Sequence, residues 1–187
     1  AATGLFVWMI PRKLSPTVAG IQPVEKMVFP AVGAFDHIRN ITLPDGSSVV
    51  LHAGSKLDYA ESFDGPTREV RLEGEAYFDI AHNPHRPFII HTGKVKTTVL
   101  GTSFNIKADA RKVVVSVTRG RVKVEDESKL LAVLTPDQQV QYNLPDAKAE
   151  QQTVNANTLV TDWTKEDMIF NGVSFEEIAA TLSKRYG

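Results

Sequence analysis

The chain has 187 residues, of which 42% are hydrophobic and 23% are charged, a composition that is ordinary for a folded globular protein. This length accommodates one domain with a sizeable core, or one domain and part of a second. The formal net charge of -1 gives no global electrostatic reason to bind nucleic acid or an anionic membrane. The sequence has 0 cysteines, which excludes disulfides and thiolate metal sites.

The N-terminal part combines one apolar run with a proline-rich stretch. Residues Leu5 to Ile10 are consecutively apolar, but a membrane-spanning helix needs about 20 such residues. We interpret the run as the end of a truncated span, with the end of a signal-like segment or a buried strand as alternatives. Arg12 and Lys13 follow the run and count against this, since basic residues usually mark the cytoplasmic side of a span. An extended linker up to residue 35 is favoured by the prolines Pro11, Pro16, Pro23 and Pro30.

Residues 38–144 show the pattern of an all-β domain, with short apolar runs separated by turn signals. The triplet Pro44-Asp45-Gly46 joins two short strands, because proline fixes φ and glycine accepts a positive φ. Residues Glu69 to Glu73 alternate apolar and charged side chains, as in a strand that is buried on one face. Residues 130–134 and 139–142 are predicted to be a last pair of strands, joined at Pro136-Asp137. The spacing predicts an irregular all-β sandwich, a barrel or a short solenoid-like domain.

Three segments share a loose form in which apolar residues surround a glycine. The glycines are 27 residues apart from Gly74 to Gly101 and 19 residues apart from Gly101 to Gly120. These spacings are too unequal for a regular solenoid. We therefore predict an irregular stack of strands with the glycines at corners or bulges. On this interpretation, Glu73 and Glu75 face one side of a strand and form its solvated side.

Residues 146–160 have a polar, linker-like composition, and residues 161–187 change to a mixed α+β pattern. Ser174 and Glu177 are spaced as a capping box that begins a helix. A short strand precedes this helix, and the two elements together cannot close a core, so we expect a truncated α+β segment. The strand and the apolar helix face supply the candidate partner-binding residues, which are Met168, Ile169, Phe170, Phe175, Ile178, Leu182 and Tyr186.

Three histidines, His82, His85 and His91, are the best candidates for a zinc site, which would need convergent imidazoles. Pro84 and Pro87 bracket the loop that holds the first two. We favour solvated loop histidines over a metal site, and we expect neither a metal nor another cofactor.

Three carboxylates, Glu73, Glu75 and Asp79, invite comparison with glycosidases, in which two carboxylates about 5–9 Å apart share acid and base roles. Exposed carboxylates on strands are common, however. The sequence also contains no nucleophile elbow, no His-Glu-x-x-His motif and no phosphate-binding loop. We therefore predict no catalytic residue and no enzymatic activity.

A basic patch is a further possibility that the charge pattern argues against. Acidic side chains interleave with the basic ones, which favours a solvated mixed face over a nucleic-acid site. The arginines concerned are Arg68, Arg71, Arg119 and Arg121, and the interleaved acids are Glu69, Glu73 and Glu125.

Six motifs, in order along residues 36–144, resemble the FecR family. They are Ile41-Thr-Leu-Pro-Asp-Gly-Ser47, Leu51-His-Ala-Gly-Ser55, Leu72-Glu-Gly-Glu-Ala-Tyr-Phe78, Arg86-Pro-Phe88, Leu100-Gly-Thr-Ser-Phe-Asn105 and Thr118-Arg-Gly-Arg-Val122. Residues 170–187 are similar to the short C-terminal domain of such proteins in Bacteroidota. That domain resembles the signalling domain at the N-termini of secretins and TonB-dependent receptors. His52 and the loop from His82 to His85 depart from the family pattern.

The resemblance implies a signalling role without catalysis. Members of the family are transmembrane regulators of sigma factors in iron and nutrient uptake. The chain would be the soluble periplasmic part of an inner-membrane protein, and a cytoplasmic segment that is absent here would hold an extracytoplasmic-function sigma factor. The periplasmic partner would be the signalling domain of an outer-membrane TonB-dependent transporter.

The expected domain boundaries follow from the resemblance and the composition together. A membrane-proximal stub and linker cover residues 1–35, and a FecR-like β domain covers residues 36–145. A linker at residues 146–160 leads to the start of a C-terminal domain at residues 161–187. The alternative function is a carbohydrate-binding or carbohydrate-active periplasmic β-protein, for which Trp163 and Tyr142 are the candidate aromatic platforms.

Overall fold

The computed structural model describes residues 31–32, 37–127 and 129–159. In this part the chain forms 14 strands and, at residues 156–159, one short helical turn. The prediction of a mainly β protein is confirmed. The strands are β1 (Ala31–Val32), β2 (Arg39–Thr42), β3 (Ser48–Leu51), β4 (Lys56–Tyr59), β5 (Arg68–Glu73), β6 (Glu75–Asp79), β7 (Phe88–Thr92), β8 (Val95–Val99), β9 (Ser103–Ala108), β10 (Lys112–Arg119), β11 (Val122–Asp126), β12 (Lys129–Leu134), β13 (Gln138–Asn143) and β14 (Lys148–Thr153).

The strands form two seven-stranded sheets. The first sheet has the order β1-β4-β5-β7-β8-β11-β12, and the second has the order β14-β13-β10-β9-β6-β3-β2. Neighbouring strands are antiparallel, except that β5 and β7 run parallel. The predicted hairpin around Pro44-Asp45-Gly46 is present as the β2–β3 pair.

One hydrophobic core lies between the two sheets, and strand alternation supplies it from both sides. Val70 and Leu72 of β5 are buried while Arg71 between them is exposed. From the second sheet, the rings of Phe78 and Phe104 stack with their centroids 5.3 Å apart. The buried apolar side chains of the two sheets form a single cluster, which makes the domain a two-layer β-sandwich.

The glycines of the three similar segments lie where the chain passes from one sheet to the other. Gly74 separates β5 from β6 with a φ of +96°, and a Cβ at this position would come within 2.4 Å of the Ser55 Oγ. Gly120 separates β10 from β11 with a φ of +86°. Gly101 lies between β8 and β9, where a Cβ would come within 2.5 Å of the Cα of His82. The prediction of corner glycines is confirmed, because each corner needs a positive φ or a close approach of two backbones.

The predicted pairing of the strands around Pro136-Asp137 is wrong. β12 pairs with β11 in the first sheet, whereas β13 pairs with β10 and β14 in the second. The connection crosses between the layers, and Asp137 adopts a φ of +60° there. A turn signal shows where the chain reverses, but it does not distinguish a turn within one sheet from a turn between two sheets.

Residues 148–153, which fall in the predicted linker, form the edge strand β14. The strand pairs with β13 along its length, and its side chains are all exposed. It therefore lacks the apolar alternation that identifies a strand in a sequence. The predicted α+β segment at residues 161–187 and the apolar run Leu5 to Ile10 lie outside the described residues. Among the helices in the described ranges, none has the length and hydrophobicity to cross a membrane.

Candidate functional site

A buried arginine connects two of the sequence motifs. Arg68, at the start of β5, is 1% exposed. Its Nη1 donates hydrogen bonds to the Asp45 Oδ2 at 2.6 Å and to the Ala81 carbonyl oxygen at 3.0 Å. Its Nε donates to the Arg86 carbonyl oxygen at 2.9 Å, and the guanidinium lies 5.3 Å from the ring centroid of Phe88. The expectation that Arg68 belongs to a solvated mixed face is therefore wrong, because its charge is paired inside the sandwich.

The β2–β3 turn reaches the same cluster through its aspartate and serine. The Ser47 backbone N–H donates to the Asp45 Oδ1 at 3.0 Å, and the Ser47 Oγ donates to the Asp45 Oδ2 at 2.8 Å. The Ser47 Oγ in turn accepts a hydrogen bond from the Ala81 backbone N–H at 3.0 Å. The turn motif and the Arg86-Pro87-Phe88 motif thus brace one end of the sandwich, which is a structural role.

The candidate carboxylates do not form an acid–base pair. Glu73 ends β5 in the first sheet, and Glu75 begins β6 in the second, because Gly74 turns the chain between them. Glu75 is only 9% exposed, and its Oε2 lies 2.8 Å from the Lys107 Nζ. The expectation that Glu73 and Glu75 share one solvated side is wrong for this reason. Asp79 accepts hydrogen bonds from Ser103 and Arg119, so its carboxylate is also engaged in contacts within the sheet.

The three histidines lie in different surroundings. The His91 Nε2 on β7 is 2.9 Å from the Glu69 Oε2. Burial raises the pKa of Glu69, but hydrogen bonds from the Thr67 hydroxyl and from His91 outweigh it, so the pKa lies below its usual value. His82 and His85 are exposed in the β6–β7 connection. Within the described ranges, no three His, Asp or Glu side chains are grouped closely enough to hold a metal ion.

Tyr142 cannot serve as an exposed platform for a sugar ring, because it is 1% exposed. Its hydroxyl donates a hydrogen bond to the Asp126 Oδ2, and this bond, together with burial, raises the pKa of Tyr142 to about 12. The Lys94 Nζ lies 3.2 Å from the same carboxylate and 5.9 Å from the centroid of the tyrosine ring. Tyr142 therefore links the two sheets. The other aromatic candidate, Trp163, lies outside the described residues.

A groove of about 780 Å³ lies at the end of the first sheet where β8 and β12 end and β11 begins. Leu100 and Val133 line it, and they are 42% and 46% exposed. The basic side chains of His82, Arg121 and Lys123 also line it, whereas none of the described Asp or Glu residues does. The groove therefore combines apolar walls with a basic rim, and we name it the β12 groove.

The two cations of the β12 groove differ in how far their charges are neutralised. The Lys123 Nζ lies 2.7 Å from the Glu125 Oε1, so part of its charge is balanced by its own strand. Arg121 is exposed, and no carboxylate in the described part of the chain forms an ion pair with it. Arg121 is consequently the stronger attractor for an incoming acidic group.

The strand beside the groove exposes apolar side chains at the edge of its sheet. β12 is a terminal strand, and Leu130 is 53% exposed on it. A bulge shifts the register between Val124 and Glu125 of β11, so that Leu130 lies opposite Glu125 and Val133 lies opposite Lys123. This surface was not predicted from the sequence. The run Leu130-Leu-Ala-Val-Leu134 is the feature of the sequence that could have indicated it. Consecutive apolar residues make both faces of a strand apolar, and each face then needs another surface to pack against.

The chain leaves the described part of the structure next to the β12 groove. After β14, the Val154 backbone N–H donates to the Asp137 carbonyl oxygen at 2.9 Å, and the Ala156 backbone N–H donates to the Asp137 Oδ1 at 3.3 Å. Ala156 is fully buried, and Asp137 directly follows Pro136 of the groove wall. The predicted partner-binding residues from Met168 to Tyr186 come after this exit and lie outside the described residues.

Comparisons with known proteins agree with the motifs. The family model described as FecR protein matches residues 33–123. Two crystal structures, at 1.65 and 2.50 Å resolution, of a protein from Parabacteroides distasonis ATCC 8503 described as a "putative anti-sigma factor" are similar to the chain, each with 30% sequence identity and a TM-score of 0.69. The first match covers 84% of this chain and 74% of that one, and the second covers 85% and 75%. No curated protein sequence matches significantly. From the family match and this similarity over most of both chains, the chain belongs to the FecR family.

Proposed function

We propose that the chain is the periplasmic sensor part of a FecR-family anti-sigma regulator anchored in the inner membrane. It relays a signal from an outer-membrane TonB-dependent transporter to an extracytoplasmic-function sigma factor by protein–protein binding. The observation that carries the proposal is the match to the Parabacteroides distasonis protein, which is described as a "putative anti-sigma factor" and matches this chain with 30% sequence identity. The sigma factor itself would bind a cytoplasmic segment outside this sequence.

The contacts of the β domain support a binding role rather than catalysis. The buried Arg68 forms an ion pair that holds two loops together, and the carboxylates of Glu75 and Asp79 form ion pairs with neighbouring cations. What the sandwich offers to a partner is an exposed sheet edge at β12 and an apolar groove beside it. A receptor domain can be recognised by strand addition to an edge or by docking of an apolar helix face.

In the proposed mechanism, the candidate residues from Met168 to Tyr186 contact the transporter's signalling domain. Binding energy can shift the regulator between two membrane-bound states only if the partner binds the two states with different affinities. The differential contact would lie at the C-terminal segment, while the sandwich holds that segment at a fixed point near Asp137.

Direct binding tests the proposal. The purified chain is titrated with the N-terminal signalling domains of TonB-dependent transporters from the same genome. We expect one of them to bind and Phe170→Asp to weaken that binding at least about tenfold, which corresponds to about 1.4 kcal/mol. The control is Ala149→Asp, a charge of the same sign on the exposed strand β14, which should not change the affinity. Failure of all the signalling domains to bind would refute the transporter part of the proposal.

A transcriptional reporter tests the sigma-factor part. Cells carrying the full-length regulator, its neighbouring sigma factor and a reporter promoter are compared with cells lacking the periplasmic part. We expect deletion of this part to change reporter output and to abolish its response to the transporter. An unchanged response would exclude a sensory role for this chain.

A further inference from the structure

We propose that the β12 groove is the docking site for this chain's own residues 161–170. In this arrangement Met168 and Phe170 cover Leu100 and Val133, and the carboxylates of Glu166 and Asp167 face Arg121. The occupant is thus a segment of the same molecule, held at the point where the described chain ends.

The chemistry of residues 161–170 complements that of the β12 groove. The β12 groove has apolar walls and a rim to which the described residues contribute basic side chains but no carboxylate. Residues 161–170 supply the opposite charge, with Asp162, Glu166 and Asp167 against one cation, Lys165. Directly after the acidic pair come Met168, Ile169 and Phe170. An apolar cluster next to two carboxylates matches an apolar groove next to a guanidinium that forms no ion pair within the described part of the chain.

The described part of the chain ends beside the β12 groove, which also supports the docking. Backbone hydrogen bonds to Asp137 hold the segment after β14 against the wall of the groove, and Leu159 follows within one helical turn. Met168 lies nine positions after Leu159, and an extended chain covers at most about 30 Å over that length. A tether this short keeps the segment near the groove at an effective concentration in about the millimolar range. Even a weak contact is therefore well populated within the molecule.

The exposed apolar side chains of the β12 groove are a third reason to expect docking. Val133 and Leu100 both line the groove, and both side chains are nearly half exposed. Covering such side chains is favourable by about 25 cal/mol for each Å² of apolar area. A segment that covers them inside the molecule needs no second chain and loses less freedom than a separate partner would.

Docking would also regulate the proposed partner site, and this consequence rests on the proposed function. Met168 and Phe170 belong to the candidate residues for binding the transporter domain. A partner would therefore have to displace them from the β12 groove, so that docking lowers the apparent affinity for the partner. The docking itself does not depend on that function, and it can be tested on the isolated chain.

Cysteine pairs test the docking cleanly, because the chain has 0 cysteines of its own. The test pair is Val133→Cys with Met168→Cys, and the matched control pair is Leu130→Cys with Met168→Cys. Leu130 lies on the same strand and is more exposed than Val133. It is three residues, or roughly 10 Å, away and does not line the groove. Because a disulfide requires Cα atoms within about 7 Å, we expect the test pair to form an intrachain disulfide at least about tenfold faster than the control.

Charge reversal adds a second measurement, on variants that should still fold because the Arg121 side chain is exposed. Arg121→Glu should slow disulfide formation in the test pair, and adding Glu166→Lys and Asp167→Lys should restore it. Equal rates for the two pairs, or no effect of charge reversal, would overturn the docking. Disulfides formed mainly between chains would also overturn it and would assign the groove to a second copy. None of these outcomes bears on whether a transporter domain binds, so the two proposals can fail separately.

Discussion

At the residue scale, a single arginine organises the loops at one end of the sandwich. Arg68 reaches acceptors on two different loops, Asp45 in the β2–β3 turn and Ala81 and Arg86 in the β6–β7 connection, and its guanidinium also lies over the ring of Phe88. The planar guanidinium carries five N–H donors in a fixed geometry, so that one side chain can donate hydrogen bonds in several directions at once. A lysine would supply the charge but not this set of directed donors.

Removal of the partner carboxylate should expose the cost of this buried charge. We expect Asp45→Ala to lower the free energy of unfolding by about 3 kcal/mol, because the Arg68 guanidinium would remain buried without its counterion. Urea unfolding followed by circular dichroism measures the change. The control, Glu150→Ala, removes an ion pair with Lys148 in which both side chains are exposed, and it should have no measurable effect. A cost no larger than that of the control would show that the Arg68 pairing is unimportant for stability.

The sequence identified the turn at Asp45 but not the burial of Arg68. The turn is local, since proline, aspartate and glycine determine it within three residues. The ion pair joins residues 23 positions apart, and it depends on loops that meet only when β2–β3 and β5 lie at the same end of the sandwich. The burial of Glu75 could not be predicted for the same reason, because its partners Asn105 and Lys107 lie on the neighbouring strand β9. Alternation predicts which side chains share a face, but the partners depend on sheet order.

At the scale of elements, strands were predictable where one face is apolar, and sheet membership was not. Residues 69–73 and 113–117 have strong β patterns, and both form strands. β14 has no apolar face and was not predicted as a strand. The candidate binding surface was missed for a related reason. Only the order of strands shows that β12 is terminal, and only then does its apolar run become an exposed edge.

The exposed edge of β12 should promote self-association at high concentration, because terminal strands with exposed apolar side chains pair readily with one another. We expect Leu130→Lys to weaken this association without loss of stability, since Leu130 is 53% exposed and lies opposite the Glu125 carboxylate. Sedimentation velocity over a range of protein concentrations measures the change. Ala149→Lys places the same charge on β14, the polar terminal strand of the other sheet, and should leave the association unchanged. If both variants associate like the original chain, the β12 edge is not the contact.

At the scale of the whole molecule, the two sheets are joined by their common core and by polar contacts between the layers, of which the contact between Asp126 and Tyr142 responds to pH. Asp126 on β11 accepts the hydrogen bond of Tyr142 on β13, and Lys94 pairs with the same carboxylate. The tyrosine hydrogen bond lowers the pKa of Asp126 against the opposing effect of burial, and the Lys94 charge assists. The contact is therefore strongest when Tyr142 is protonated and Asp126 is ionised. Its contribution to stability should decline at both ends of the pH range.

The alkaline decline has a defined window, because the pKa of Tyr142 is about 12 in the folded protein and about 10 in the unfolded chain. The raised pKa means that the stabilisation is complete below pH 10 and is lost as the pH rises toward 12, since only the unfolded chain releases the proton in between. We expect Tyr142→Phe to lower stability at pH 8 and to reduce its loss between pH 10 and 12, as measured by urea unfolding. Tyr77→Phe is the control. It also removes a tyrosine hydroxyl, but that hydroxyl contacts the neutral Thr118 hydroxyl, and the contact of Tyr142 with Asp126 and Lys94 is retained. If the two variants lose stability equally over that range, the alkaline response does not arise from the contact between the sheets.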